Sequence, residues 1–128
     1  MAKKVAFITG ITGMVGSHLT DFLLENTDWD IVGMIRWRSQ LNNLSHLVDR
    51  INAKDRVHLV YADLNDQLSM MTALEKAKPD YVFHLAAQSY PKTSFDAPED
   101  TLNTNILGTS RLLESLRILK LDPVIHVC

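Results

Sequence analysis

Short apolar runs alternate along the chain with stretches in which apolar residues recur at helical spacing. The runs predict strands over Lys3–Thr9, Asp30–Ile35, Arg56–Ala62, Asp80–Leu85 and Pro123–Cys128. The helical stretches are Met14–Glu25, a weaker Leu44–Ile51, Gln67–Ala77 ended by Pro79, and a long Pro98–Leu119. A polar segment, Arg36–Asn43, and a loop running to about Ala97 join them. The first helix carries Met14, Val15, His18, Leu19, Phe22 and Leu23 on one face. In the last helix Leu102, Ile106, Leu113 and Leu116 make the apolar stripe, which Asn105, Gly108 and Thr109 interrupt.

Strands alternating with helices of this length predict parallel β-α-β units joined by right-handed crossovers. The expected fold is α/β, a Rossmann-type doubly wound parallel sheet of about five strands in the order 3-2-1-4-5. The last apolar run reaches the final residue, whereas a domain normally closes on an exposed helix or loop. The expectation is one domain over 1–128, cut within its fifth strand, with that sheet edge left open.

Three of the five glycines fall at Gly10, Gly13 and Gly16, between the first strand and the first helix. A strand, a glycine turn and a helix N-terminus together make a pocket for a pyrophosphate, where free N–H groups meet the positive end of the helix dipole. Gly10 suits the tight turn, Gly13 lets phosphates approach the backbone, and Gly16 lets the helix lie close to the strand. The candidate contacts are Thr9, Gly10, Thr12, Gly13, Met14, Val15 and Gly16.

The second strand ends in Arg36-Trp37-Arg38-Ser39. A dinucleotide fold often places a carboxylate there, on the adenosine ribose. Guanidinium groups instead pair with a 2′-phosphate, which favours NADP over NAD; the alternative is a pair of solvated arginines. At the third strand end, Asp63 either accepts a bond from the adenine amine or caps the next helix, a role also open to Asn65 or Asp66; Leu64 follows it. At the fourth, Leu85, Ala86, Ala87 and Gln88 are candidates for the ribose and nicotinamide, because ligands of open parallel sheets bind outside the strand ends. His84 lies inside the apolar run and reads as a hydrogen-bonded core residue before an acid or base. Ser89 and Lys92 lie in the loop over the cleft and are candidate substrate contacts. Asn105 is costly on a buried face unless it bonds something, either near the active site or for structure alone.

Composition narrows this further. With 46% hydrophobic and 22% charged residues the chain has an ordinary globular make-up. A net charge of −2 without a basic run points away from nucleic acid and from membrane surfaces. The one cysteine, Cys128, allows no internal disulfide or cysteine-built metal site, and no His/carboxylate cluster has metal spacing. No segment approaches the ~20 apolar residues of a membrane span. Met1-Ala-Lys-Lys shows no leader-like apolar region, so the expected compartment is the cytoplasm. No Tyr-x-x-x-Lys pair occurs: Tyr61, Tyr81 and Tyr90 are followed at that offset by Asn65, Leu85 and Ser94.

With Thr9-Gly-Ile-Thr-Gly-Met-Val-Gly16, Ala62-Asp-Leu64, His84-Leu-Ala-Ala87 and Asn105-x-x-Gly-Thr109, the chain resembles the extended short-chain dehydrogenase/reductase family of sugar-nucleotide epimerases and dehydratases. The likeness covers the whole chain. Arg36–Ser39, Asn42–Leu47 and Ala87–Asp96 look most like the family's GDP-mannose 4,6-dehydratases, with another nucleotide-sugar epimerase or a 4-keto-sugar reductase as the alternative. A non-catalytic NADP-binding module is the alternative of a different class. The resemblance implies an intact enzyme (a lyase) in which NADP takes hydride from C4 of a nucleotide sugar, water leaves across C5 and C6, and the hydride returns to C6. It implies that the catalytic Tyr and Lys and the nucleotide-sugar domain lie beyond Cys128, so that these residues alone are inactive. It also implies a homo-oligomer, in which the Arg36–Leu47 segment reaches a neighbouring subunit.

Overall fold

The computed structural model describes residues 3–128; Met1 and Ala2, on which the expectation of no leader partly rests, lie outside the described residues. Five strands, β1 (Val5–Thr9), β2 (Asp30–Ile35), β3 (Val57–Tyr61), β4 (Tyr81–His84) and β5 (Val124–Val127), form one parallel sheet in the order β3-β2-β1-β4-β5. That is the expected topology. The order reverses at β1, where the crossovers switch from one side to the other. The register aligns Thr9 with Met34 on one side and His84 on the other, so the carboxyl ends of β1, β2 and β4 stand level.

Side-chain alternation along these strands builds two cores. Ala6, Ile8, Ile31 and Ile35 pack with Leu23 of helix α1 (Met14–Asn26) and with Leu44 and Leu47. Phe7, Val32, Met34 and Val82 face the other way, against Met70 and Leu74 of α3 (Gln67–Ala77) and Leu112 and Leu116 of α6 (Gly108–Ile118). Each fully buried large side chain contributes about 1.5–3 kcal/mol of transfer free energy. Both faces of the sheet are covered, which explains why the strands read as apolar runs rather than alternating ones.

The helices depart from expectation in three places. The polar segment leads into a 3-10 turn over Asn42–Leu47 and a short α2 (Val48–Asn52), in place of one helix over Leu44–Ile51. The loop after β4 contains α4 (Pro91–Asp96), with Pro91 at a position that needs no N–H donor. The long last helix is α5 (Pro98–Leu102), a π-helical turn (Asn103–Leu107) and α6.

The buried faces are also different. On α1 the buried residues are Gly16, Ser17, Thr20 and Leu23, while Met14, Val15, His18 and Phe22 are exposed. On the last helix Gly108, Leu112, Ser115 and Leu116 are buried, and Leu102, Ile106 and Leu113 are exposed. The cause is close packing. Gly16 brings α1 so near the β1 turn that only small residues fit beneath it; Gly108, whose added Cβ would stand 2.8 Å from the Leu64 Cβ, does the same for α6.

Candidate functional site

The carboxyl ends of β2, β3 and β4 and the glycine turn after β1 enclose a cleft of about 500 Å³. Gly10 sits at φ +76, a conformation that costs other residues about 1–2 kcal/mol. A Cβ there would also stand 2.9 Å from the Ala86 nitrogen. The Gly13 N–H donates to the Gly10 carbonyl at 3.0 Å, closing the turn. Gly13 is the α1 N-cap, and no side chain caps the helix there, so the first-turn N–H groups of Met14, Val15 and Gly16 remain open. A Cβ on Gly13 would come 3.3 Å from the Gly10 oxygen, and one on Gly16 only 2.2 Å. The turn therefore packs backbone against backbone with no room for side chains at Gly10 and Gly16, and the uncapped helix end beside it offers donors that fit a diphosphate.

Thr9 is wholly buried and does not line the cleft. Its hydroxyl accepts the Leu85 and Ala86 N–H groups at 3.0 Å each, fixing the end of β4 beside the turn. The same hydroxyl is 2.8 Å from Nδ1 of His84, whose Nε2 lies 3.0 Å from the Thr109 hydroxyl. Thr109 donates to the Asn105 carbonyl at 2.7 Å, so it accepts from Nε2. Thr9 then donates to Nδ1, and His84 is the neutral Nε2–H tautomer. Burial lowers its pKa from 6.5, in keeping with that assignment. Both ring nitrogens are engaged, which is the core-histidine reading.

Asn105 lies in the π-helical turn and holds Gln88 by its backbone. Its Oδ1 accepts the Gln88 N–H at 2.8 Å, and its Nδ2 donates to the Gln88 carbonyl at 2.9 Å. The Gln88 side chain in turn donates to Thr101 at 3.0 Å and accepts the Tyr90 N–H at 2.7 Å. The segment after β4 is thus pinned to the helix behind it.

Of the expected site residues, Gly10, Thr12 and Gly13 line the cleft on the turn side, and Arg36, Ser39, Asp63 and Leu64 line it at the ends of β2 and β3. Leu85, Ala86, Ala87, Gln88 and Ser89 form the β4 side. Arg38 lies in an adjoining recess. Lys92 is exposed on α4 and does not line the cleft. Sequence reasoning missed Met34, Asn65, Tyr90, Asp100 and Thr104, which also line it; Asn65 and Tyr90 directly follow the chosen Leu64 and Ser89, and that adjacency was the available signal. The capping question resolves in favour of Asp66, whose Oδ1 accepts the Ser69 N–H at 3.2 Å. Asp63 accepts the Asn65 N–H at 2.9 Å and stays in the cleft wall. Among the described residues there is no cluster of three metal-ligating side chains, and no helix long and apolar enough to cross a membrane.

Solved structures share this architecture. A UDP-glucose 4-epimerase from Thermotoga maritima, determined with UDP-glucose, is 28% identical with a TM-score of 0.75, over 90% of this chain and 34% of its own. A UDP-glucose 4-epimerase from Thermus thermophilus, in complex with NAD, is 25% identical with a TM-score of 0.76, over 92% of this chain and 35% of its own. Among curated relatives, GDP-mannose 4,6 dehydratase 1 of Arabidopsis thaliana is 43% identical and the GDP-mannose 4,6-dehydratase of Vibrio cholerae 42%, each over 94% of this chain. The chain spans about a third of the length of these relatives, 34% and 33%. The family model described as GDP-mannose 4,6 dehydratase matches residues 7–128, and with glycine turn, strand order and cleft all in agreement, this chain belongs to that family.

Proposed function

We propose that this chain is the NADP-binding part of a nucleotide-sugar 4,6-dehydratase of the GDP-mannose type. The observation that carries the reading is the Gly10–Gly16 turn, where backbone contacts forbid a side chain at Gly10 and Gly16 and the α1 N-cap, Gly13, lines the cleft without a side-chain cap. Gly10, Thr12, Gly13, Met14, Val15 and Gly16 hold the diphosphate through backbone donors. Thr9 serves from behind by fixing Leu85 and Ala86. Arg36, Arg38 and Ser39 receive the 2′-phosphate; the Ser39 hydroxyl accepts the Arg36 N–H at 2.9 Å, which supports a preformed turn. Asp63 and Leu64 flank the adenine, and Leu85, Ala86, Ala87 and Gln88 flank the nicotinamide ribose.

When bound, the nicotinamide supplies reversible hydride exchange with a sugar carbon. The chain's part is to bind and orient. Asn105 keeps Gln88 and Ser89 at the cleft wall, next to where a sugar would lie, while Lys92 is left as a contact only if α4 shifts towards the cleft. The dehydratases among the relatives favour a GDP-sugar as substrate. On the same resemblance the intact protein is a homo-oligomer whose Tyr-Lys pair and substrate domain lie outside these residues. The UDP-glucose 4-epimerases among the structural neighbours favour a second reading, an epimerase on the same cleft. At 28% and 25% identity against 43% and 42%, they support it less.

Calorimetric titration of NADP⁺ and NAD⁺ into the chain tests the cofactor. We expect NADP⁺ to bind more tightly, and Arg36→Asp to weaken it roughly ten- to a hundredfold, as loss of a charge-assisted contact implies. An unchanged preference in Arg36→Asp refutes the role given to Arg36.

A further inference from the structure

The cleft does not end at Arg36 and Asp63. A second recess of about 460 Å³ continues from them and shares both residues with the first. Its walls are Trp37 and Arg38 from beyond β2, and Ala62, Asp66 and Ser69 from beyond β3. Trp37 is 84% exposed, yet it is not free to wander. Its indole lies flat on the Tyr61 ring, with centroids 4.4 Å apart and planes 8° from parallel. Tyr61 is held as the last residue of β3, paired in the sheet with Ile35. Tyr61 covers one face of the indole, the rest of Trp37 stays open, and Trp37 lines the recess where Tyr61 does not.

A large aromatic surface held rigid beside a cleft suits one kind of ligand, a flat π-system, because little side-chain ordering remains to be done on binding. The polar walls narrow the choice. Asp63 and Asp66 each use one oxygen on a backbone N–H, of Asn65 and Ser69, and keep the other for a donor such as an exocyclic amine. Arg36 and Arg38 supply positive charge beside them. Along the cleft the order is backbone donors at Gly10 and Gly13, then Arg36 and Ser39, then the indole. That is the order of diphosphate, phosphorylated ribose and purine.

We infer that Trp37, braced by Tyr61, is the platform on which the adenine ring of the dinucleotide stacks. The inference rests on the dinucleotide reading above. It makes Trp37 a determinant of affinity for the adenylate half alone.

The test uses Trp29→Phe, which leaves Trp37 as the chain's single tryptophan; Trp29 stacks on Tyr81 at the opposite end of β2. Adenosine 2′,5′-bisphosphate is expected to quench Trp37 emission with the midpoint found by calorimetry, and nicotinamide mononucleotide to leave it unchanged. Trp37→Ala should weaken the bisphosphate roughly ten- to a hundredfold without lowering the melting temperature, and Trp37→Phe should restore most of the loss. Calorimetric binding of the bisphosphate with Trp37 emission and the Trp37→Ala affinity both unaltered overturns the platform and leaves the dinucleotide reading standing. Failure of both NADP⁺ and the bisphosphate to bind the unsubstituted chain overturns both.

Discussion

Gly16→Ala and Gly13→Ala should separate stability from binding, although they add the same methyl group within one turn of chain. At Gly16 the added carbon would stand 2.2 Å from the Gly10 oxygen and 2.8 Å from the Ile11 Cα. An ordinary carbon–oxygen contact needs roughly 3.3 Å, so α1 and the turn must part by about 1 Å. The obstacle is backbone, which cannot swing aside. The cost therefore lies at the upper end of the about 1–3 kcal/mol usual for overpacking. Alanine returns about 1 kcal/mol as a better helix former, leaving a net loss near 2 kcal/mol. For a domain of this length that is a fall of roughly 6–10 °C in melting temperature. At Gly13 the contact is 3.3 Å and φ is −76, so the residue fits. The cost is that of a poorer N-cap, under about 1 kcal/mol. Gly13, however, lines the cleft at the uncapped end of α1, where an added methyl takes up room at the phosphate site. NADP⁺ affinity should drop at least about tenfold, as if one charge-assisted bond were lost. Thermal unfolding by circular dichroism and calorimetric titration read the two effects. If Gly16→Ala melts within about 2 °C of the parent, or Gly13→Ala loses stability and keeps affinity, the cradle geometry is wrong.

Two further perturbations probe the frame around the site. His84 is neutral in the fold and its pKa lies below 6.5; the unfolded chain protonates first, so its contribution is complete above about pH 6.5 and is lost as pH falls through the folded pKa. Melting temperature should decline from about pH 7.5 to 5.5, and the decline should be shallower in His84→Gln; equal slopes refute the assignment. Arg56 donates to the carbonyls of Trp29 (3.1 Å), Leu24 (3.1 Å) and Thr27 (2.6 Å), closing the end of α1. Arg56→Ala should cost about 2 kcal/mol in urea unfolding and leave NADP⁺ affinity unchanged, since Arg56 precedes β3 at the end opposite the cleft; a loss under about 0.5 kcal/mol refutes it.

The strands were legible because a sheet covered on both faces needs unbroken apolar runs, and Val5–Thr9 and Asp30–Ile35 have them. Strand order followed from the doubly wound dinucleotide fold to which the alternation and the glycine turn point, the handedness rule fixing only the crossovers. Helix faces were not legible by hydrophobicity. The pattern marks Met14, Val15 and Phe22 as the apolar face, but the distance between α1 and the sheet is set by Gly16, and at that distance Ser17 and Thr20 are what fit. Their polarity costs little, since each hydroxyl donates to a helix carbonyl, Ser17 to Met14 and Thr20 to Gly16. The same holds on α6, where Ser115 is buried and donates to the Arg111 carbonyl at 2.6 Å.

The site divides along a similar line. Residues whose signal is backbone geometry, Gly10 and Gly16, announce themselves in sequence because only glycine tolerates the contacts they make, and Gly13 completes their spacing. Residues that act through a partner do not. Thr9 reads as a direct ligand of the cofactor, and Asn105 as either a site contact or a structural residue, yet each is spent on backbone groups of the β4 end: Thr9 on Leu85 and Ala86, Asn105 on Gln88. Nothing local in the sequence distinguishes a polar side chain that touches a ligand from one that holds the strand end touching it, because the partner is about eighty residues away for Thr9. The π-helical turn has the same origin. Asn105 must turn its amide toward Gln88 while Gly108, Leu112 and Leu116 stay against the core, and one widened turn supplies that rotation.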